Sequence, residues 1–441
     1  MKVVSEEENN SRRLLDDQPI EPGRMYKRLL YTIGVPCGDS YRVFNTLTGV
    51  VVELNPEEYE KFISLPTEYA PWMDELIERW FIVTEDTDDL DELKSLKEFC
   101  RKYILPKREK QYIILPTSAC NARCYYCFEY GAVHKTMTEQ TADDVIKFIL
   151  KDKHRKPVEI SWFGGEPLVG EKIIDRICTG LKAHGLEVVS VMTSNGYLFT
   201  QEMVDKAAEL WNLKAIQVTI DGTEDVYNRT KDYVAVPEGV SPYKRVLGNI
   251  EMLLEAGIKV TIRINVGKEN IDDMEMLVVE LKKLYENNPL VRVCPYTIFE
   301  NCGAEPTVYE PGEIEFIDEK CKEIGRSLGR LNGRRPSALP MLRVANCMAD
   351  DPSVVLINPD GDLGGCEHFV YEELYGNIYE GIVNEEAYNK WAEKKVLPVC
   401  ETCPLLPTCG MHNYCPVDRE CNDSLRQEKM NMVIEAVKKA E

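Results

Sequence analysis

Long apolar runs are missing from this chain. No stretch approaches the ~18 residues that a membrane helix needs, so a membrane-spanning protein is not expected. Positive charge is also scarce: Lys and Arg total 53 against 75 Asp and Glu, for a net charge of −22. Nucleic acid is thereby excluded as the main partner, because phosphates call for a basic surface, whereas a basic peptide would suit an acidic one. The opening residues, MKVVSEEENNSRRLLDDQPIEPG, lack the apolar core of a signal peptide, and residues 1–24 read as a disordered polar leader. The expected location is the cytoplasm, where thiols stay reduced. The 16 cysteines therefore point to metal rather than to disulfides. Oxygen sensitivity and an anaerobic host would follow. A length of 441 residues with 44 % hydrophobic content allows two or three domains with real cores.

Cys120, Cys124 and Cys127 stand in ILPTSACNARCYYCFEYG, with gaps of three and two residues. One loop of this spacing wraps three thiolates around one inorganic core. A closed cubane needs four protein ligands, so a [4Fe–4S] core held here keeps one iron open for a small molecule. Zinc is the rival, since its structural sites use similar gaps, and it would need a fourth ligand such as His134. The triplet alone leaves both open.

Between a predicted strand, Val158 to Trp162, and the helix after it lies FGGEP, Phe163 to Pro167. Its two glycines let backbone pass close to a ligand, and Glu166 supplies a carboxylate. Thr193-Ser194-Asn195-Gly196 closes another strand and Asp221-Gly222 the next. Each alone is a turn signal. Together they set polar loops at the C-terminal ends of successive strands, where α/β barrels carry their chemistry. With CxxxCxxC followed by GGEP, the sequence resembles the radical S-adenosylmethionine (SAM) enzymes.

Strand-like runs at Tyr112–Leu115, Val158–Trp162, Glu187–Thr193, Ala215–Asp221, Ile258–Val266 and Val291–Tyr296 alternate with helical ones. The helices are expected at Glu139–Leu150, Leu168–His184, Glu202–Leu210, Tyr243–Ala256 and Asp272–Tyr285. Such alternation predicts a parallel sheet with right-handed crossovers. The fold class is α/β, and six units match the partial (β/α)6 barrel that the resemblance implies, over residues 111–300.

Seven further cysteines fall between Cys347 and Cys421: Cys347, Cys366, Cys400-x2-Cys403-x5-Cys409-x5-Cys415, and Cys421. Seven ligands exceed one tetrahedral zinc and suggest two clusters. The pattern resembles the SPASM domain of radical SAM peptide-modifying enzymes, here expected over 347–441 after a bridging region, 301–346. By that resemblance Cys400, Cys403, Cys409 and Cys421 hold one auxiliary [4Fe–4S] cluster, and Cys347, Cys366 and Cys415 hold the other. The loop GMHNY between Cys409 and Cys415 is longer than the family's, and ALPMLRVAN lacks an eighth cysteine. The cluster of Cys347 would thus keep an open iron or borrow Cys294, Cys302 or Cys321. Cys37, Cys100 and Cys178 read as plain buried thiols.

Upstream, Tyr41–Leu47 and Val50–Leu54 flank the turn Thr48-Gly49, followed by a helix from Pro56 to Leu65, a second ending near Trp80, and the strand Phe81–Val83. Residues 25–99 resemble the winged-helix RiPP recognition element, which takes a leader peptide as an added strand. The acidic run EDTDDLDEL reads as a solvated stretch, with a linker at 100–110.

The resemblance implies SAM as cofactor with three [4Fe–4S] clusters, a low-potential donor such as ferredoxin or flavodoxin, and a ribosomally made precursor peptide as substrate. Glu166 would accept from the SAM amine in a pocket shaped by Gly164 and Gly165. Tyr126 would pack on adenine, while Ser194, Asn195 and Arg263 would contact ribose or carboxylate. Glu367 sits where sulfatase-maturing relatives carry an aspartate base. The expected reaction is an intramolecular crosslink, a Cys thioether first and a C–C or ether bond next. Oxidation of Cys or Ser to formylglycine is a further alternative, and a zinc protein without enzymatic activity is the reading from outside catalysis.

Overall fold

The computed structural model describes residues 1–6, 11–131, 133–152, 157–298, 309–310, 312–332, 339–345, 347–392, 396–410 and 421–440. The chain divides into two compact units, 109–334 with 353–390, and 1–108 with 335–352 and 391–441.

The first of these is built on six parallel strands, β1 (Gln111–Ile114), β2 (Val158–Trp162), β3 (Val188–Ser194), β4 (Leu213–Thr219), β5 (Lys259–Val266) and β6 (Val291–Thr297), which lie side by side in sequence order. Parallel neighbours need crossovers, and helices supply them. These are α1 (Glu139–Leu150), α2 (Glu171–Ala183), α3 (Gln201–Glu209), α4 (Glu224–Lys231), α5 (Pro242–Glu255) and α6 (Met274–Tyr285), with α7 (Glu313–Ser327) after β6. Side chains alternate along each strand. In β3, Val188, Ser190, Met192 and Ser194 are buried while Val191 is 44 % exposed on the other face. The buried face meets apolar stripes such as Ile174, Ile177 and Leu181 of α2 and Val246, Ile250 and Leu253 of α5. Thr138, Thr200 and Ser241 start their helices by accepting a backbone N–H three residues on. These strands lie where periodicity predicts them, within a residue or two at their ends. Beyond β1 the sheet continues: β7 (Val354–Ile357) pairs parallel with it, and β8 (Asp362–Gly364), β9 (Gly376–Asn377) and β10 (Gly381–Ile382) follow antiparallel.

In the other unit, Thr32–Cys37, Ser40–Asn45, Val51–Leu54 and Lys2–Ser5 form an antiparallel sheet, and Thr67–Glu68, Met25–Arg28 and Ile82–Thr84 a smaller one. Three expectations need correction here. The polar leader is not free. Lys2–Ser5 pairs with Val51–Leu54, Val3 and Val4 pack on different apolar clusters, and the Trp80 indole N–H donates to the Asp16 carbonyl at 2.9 Å. The acidic run is not a solvated linker but a helix start. Asp88 accepts the N–H groups of Leu90 and Asp91 at 3.0 Å and caps Asp89–Phe99, whose acidic first turn suits the helix dipole. Helical turns continue through Lys107 into the expected linker. Finally, the cysteine-rich region does not stay in one piece. Hydrogen bonding of β7 to β1 draws 353–390 into the parallel-sheet unit, while Leu405, Val433 and Val437 pack on Ile33, Val35, Phe44 and Val51. Among the described residues no helix is long and apolar enough to cross a membrane.

Candidate active site

The cysteine loop leaves β1 and is tied back on itself. Met137 N–H donates to Pro116 O at 2.9 Å and Ser118 N–H to Lys135 O at 2.8 Å. Inside this closed loop Cys127 N–H donates to Cys124 O at 3.1 Å. The FGGEP turn after β2 docks on it by backbone, Gly165 N–H to Thr117 O at 3.3 Å and Glu166 N–H to Ala119 O at 2.9 Å. Such contact leaves no room for a side chain. A Cβ on Gly164, which has φ +123°, would sit 2.1 Å from Thr117 O, and one on Gly165 would sit 2.6 Å from both Ser118 O and Ala119 O.

Glu166 is wholly buried at the meeting point of two loops. Its carboxylate accepts from Ser194 Oγ at 2.8 Å, Asn195 N–H at 2.7 Å and Leu168 N–H at 3.1 Å. Burial pushes its carboxyl up to about 7 in spite of these donors. Asn195 Nδ2 donates to Asn121 Oδ1 at 2.7 Å and lies 3.9 Å from Cys120 Sγ. Gly164, Gly165, Glu166, Ser194 and Asn195 thus gather around the first cysteine.

Burial raises all three thiols of the loop, Cys120 to about 12 and Cys127 to about 11, with Cys124 raised against the pull of Lys231. Cys120 also feels the charges of Cys124 and Cys127, so the three stand close together. Thiolates so placed need compensation. Ala122 N–H gives part of it to Cys120 and Glu129 N–H to Cys127. The same two-residue turn aims Ala349 N–H at Cys347 Sγ (3.2 Å), His368 N–H at Cys366 Sγ (3.5 Å) and Leu405 N–H at Cys403. Among the described residues no three Cys, His, Asp or Glu side chains converge on one point as a mononuclear metal site requires. A polynuclear core does not ask this, because each thiolate binds a separate iron. The donor set therefore fits an iron–sulfur cluster. His134, the candidate fourth zinc ligand, has its Nδ1 3.1 Å from the Ser118 carbonyl.

Residues 114–281 match the radical SAM superfamily. Residues 114–281 form a radical SAM domain. Such a domain implies SAM and a [4Fe–4S] cluster. A GTP 3′,8-cyclase of Clostridium perfringens is 26 % identical over 301 residues, which cover 63 % of this chain and 87 % of the cyclase. In three dimensions the chain is similar to native anSMEcpe with bound AdoMet (TM-score 0.56, 14 % identity, 74 % of this chain and 97 % of that one). It is also similar to Streptococcus suis SuiB bound to precursor peptide SuiA (TM-score 0.50, 14 % identity, 88 % of this chain and 96 % of that one). At such identities the solved structures speak for the fold.

The radical SAM domain brings further groups to the same unit. Arg263 on β5 stacks on Tyr296 of β6 at 4.3 Å and donates from Nε to Asn265 Oδ1 at 2.7 Å. Its charge reaches Glu367, where burial raises the carboxyl and the residue's own N–H and Arg263 oppose the rise. Glu367 Oε2 is buried and has no hydrogen-bond partner among the described residues. His368 stacks on Phe128 with ring centroids 4.1 Å apart, which ties Glu367 to the cysteine loop. Sequence reasoning missed His368, Phe128 and Glu129, whose carboxyl burial pushes up to about 7. The readable signal was that Phe128 follows Cys127 directly and His368 stands two residues after Cys366. Missed too was Lys231, hidden in an unforeseen helix. Tyr126 is placed by it: Lys231 Nζ donates to the Tyr126 hydroxyl at 2.6 Å and pairs with Asp221 at 2.9 Å.

In the other unit Cys421 and Cys403 each feel Cys400 and Cys409, so four of the expected ligands come together. Lys429 Nζ donates to Cys409 Sγ at 3.6 Å. Cys347 belongs to this unit and Cys366 to the parallel-sheet unit, while Cys415 and Cys302 lie outside the described residues. Cys321, one of the thiols offered to the cluster of Cys347, is 7 % exposed in the core beside Thr297, and Cys294 lies on β6. Cys100 and Cys178 are buried, Cys37 only partly.

Proposed function

We propose that the chain is a radical SAM peptide maturase that installs an intramolecular crosslink, a Cys thioether first, in a ribosomally synthesised precursor peptide. The observation that carries this reading is a second gathered thiol group, Cys400, Cys403, Cys409 and Cys421, outside the radical SAM domain. Likeness to a peptide-bound enzyme over most of the chain supports it. The small antiparallel sheets at the front fit a leader-binding role, in which a peptide adds as a strand.

Cys120, Cys124 and Cys127 would hold the SAM-binding cluster, and Gly164, Gly165, Glu166, Ser194 and Asn195 would cradle SAM. When bound, these groups supply a 5′-deoxyadenosyl radical, which takes a hydrogen atom from an unactivated carbon. The protein aims that carbon and excludes water. Joining a thiol sulfur to the carbon also releases a proton, which Glu367 would accept, and one electron. Cys400, Cys403, Cys409 and Cys421 would hold the electron acceptor, and Cys347 and Cys366 would serve a further auxiliary cluster with Cys415. A donor of ferredoxin or flavodoxin type would start the cycle.

Anaerobic reconstitution should give about 12 irons per chain, ~4 for each cubane, with 5′-deoxyadenosine formed under reduction and a precursor peptide losing two hydrogens by mass. Zinc without SAM cleavage, or turnover of GTP instead of peptide, sinks the proposal. A product labelled by hydrazide favours formylglycine formation, and a mass loss without sulfur at the link favours a C–C or ether bond.

Glu166 gives a pH signature. A SAM amine needs the carboxylate, and the free site holds the carboxyl near 7. SAM affinity should therefore climb as pH rises through about 7. Glu166→Gln should bind more weakly and lose that rise. Equilibrium dialysis between pH 6 and 8.5, a range about one to two units either side of that value, checks it.

A further inference from the structure

Lys231 is 3 % exposed and Asp221 not at all, yet they form an ion pair 2.9 Å long inside the radical SAM domain. Taking two charges out of water costs several kcal/mol in general, and apolar residues often fill such a place as well or better. A buried pair therefore calls for a reason beyond stability. Here it closes a triangle on the cysteine loop. Lys231 Nζ donates to the Tyr126 hydroxyl at 2.6 Å, and that hydroxyl donates to Asp221 Oδ2. Asp221 is itself fixed, its Oδ1 accepting Asn265 N–H at 2.8 Å and its carbonyl accepting Asn270 Nδ2 at 2.7 Å.

The backbone around Lys231 grips the same loop. Arg123 N–H donates to the carbonyls of Lys231 and Asp232, both at 3.0 Å, and Val234 N–H to Asn121 O at 2.8 Å. Asp232 takes a left-handed turn, φ +45°, that ends α4 and lets the chain lie along residues 121–123. Cys124 Sγ reaches the Lys231 carbonyl at 3.8 Å. One short segment thus holds Cys124 by its backbone and Tyr126 by its side chain.

We infer that Lys231, together with Asp221, is a positioning residue that locks the Tyr126 ring between two cluster cysteines and so shapes the adenine side of the SAM site. This rests on the reading of the domain as a SAM-cleaving enzyme. Lys231→Met alone would strand a buried carboxylate, so the informative variant is Lys231→Met/Asp221→Asn, which removes both charges together. In the reconstituted holoenzyme this double variant and Tyr126→Phe should keep their iron, yet each should weaken SAM about tenfold, as loss of a charged hydrogen bond does. Combining them should cost no more than either alone, and Lys231→Arg should restore part of the affinity. A loaded double variant with wild-type SAM affinity overturns the inference, as do fully additive losses. Loss of iron in every variant, Lys231→Arg included, also overturns it by assigning the pair to folding of the loop. Failure of the wild-type holoenzyme to bind SAM is a different result, which overturns the parent reading and this one with it.

Discussion

Cys124→Ala is expected to abolish 5′-deoxyadenosine formation and to remove ~4 irons from each chain, the content of one cubane. Cys178→Ala should leave both intact. Burial raises both thiols. Their neighbours set them apart. Cys178 packs among Ile146, Ile174 and Leu181 in the apolar core, where a small hydrophobe is all the site asks for, and trimming it costs about 1 kcal/mol of packing. Cys124 faces the Lys231 ammonium and sits within electrostatic reach of Cys127, in a loop whose other thiols receive aimed N–H groups. The ammonium and donated N–H groups offset part of what burial costs a thiolate, which is the form a cluster binds. Iron analysis with anaerobic SAM cleavage separates the two variants in one experiment. An iron content unchanged by Cys124→Ala would break the assignment of the triplet.

How much of this was legible follows from range. Period-two patterns such as Val158–Trp162 report which face of a strand is buried, and the six strands stand where those patterns lie. The glycines of FGGEP were readable because a turn against another backbone excludes every side chain. α4 was not readable. EDVYNRTK is polar, short and low in helix formers, and it holds because Tyr227 and Lys231 are buried by residues far away in sequence. Lys231 and Asp221, ten residues apart, look like a surface lysine and a turn aspartate until the fold encloses them. Val3 and Val4 likewise read as a polar leader's stray apolar pair, since a four-residue edge strand has too little pattern to announce its partner. The division of 347–441 between two units was invisible for a related reason. Cysteine spacing suggests metal ligation, and says nothing of which sheet the intervening chain joins.

Glu367→Gln is the second large effect expected: SAM cleavage should persist while crosslinked product falls by roughly 10²-fold or more, the usual worth of a positioned general base. The carboxylate follows Cys366 directly and is carried on a 3-10 turn that Cys366 caps through its sulfur. Its Oε2 is buried with no hydrogen-bond partner among the described residues, which is costly for a group that only fills space. Burial pushes its carboxyl up, while its own N–H and the Arg263 charge oppose the rise. His368 next to it is stacked on Phe128 of the cysteine loop, which fixes the carboxylate relative to that loop. Glutamine keeps the shape and hydrogen-bonding length but cannot take the proton of a thiol. Hydrogen abstraction needs no base, so 5′-deoxyadenosine should still form, uncoupled from product. Counting 5′-deoxyadenosine against crosslinked peptide by mass spectrometry gives that ratio. A variant that keeps both at wild-type levels would remove Glu367 from the mechanism, and one that loses both would place it in the SAM site instead.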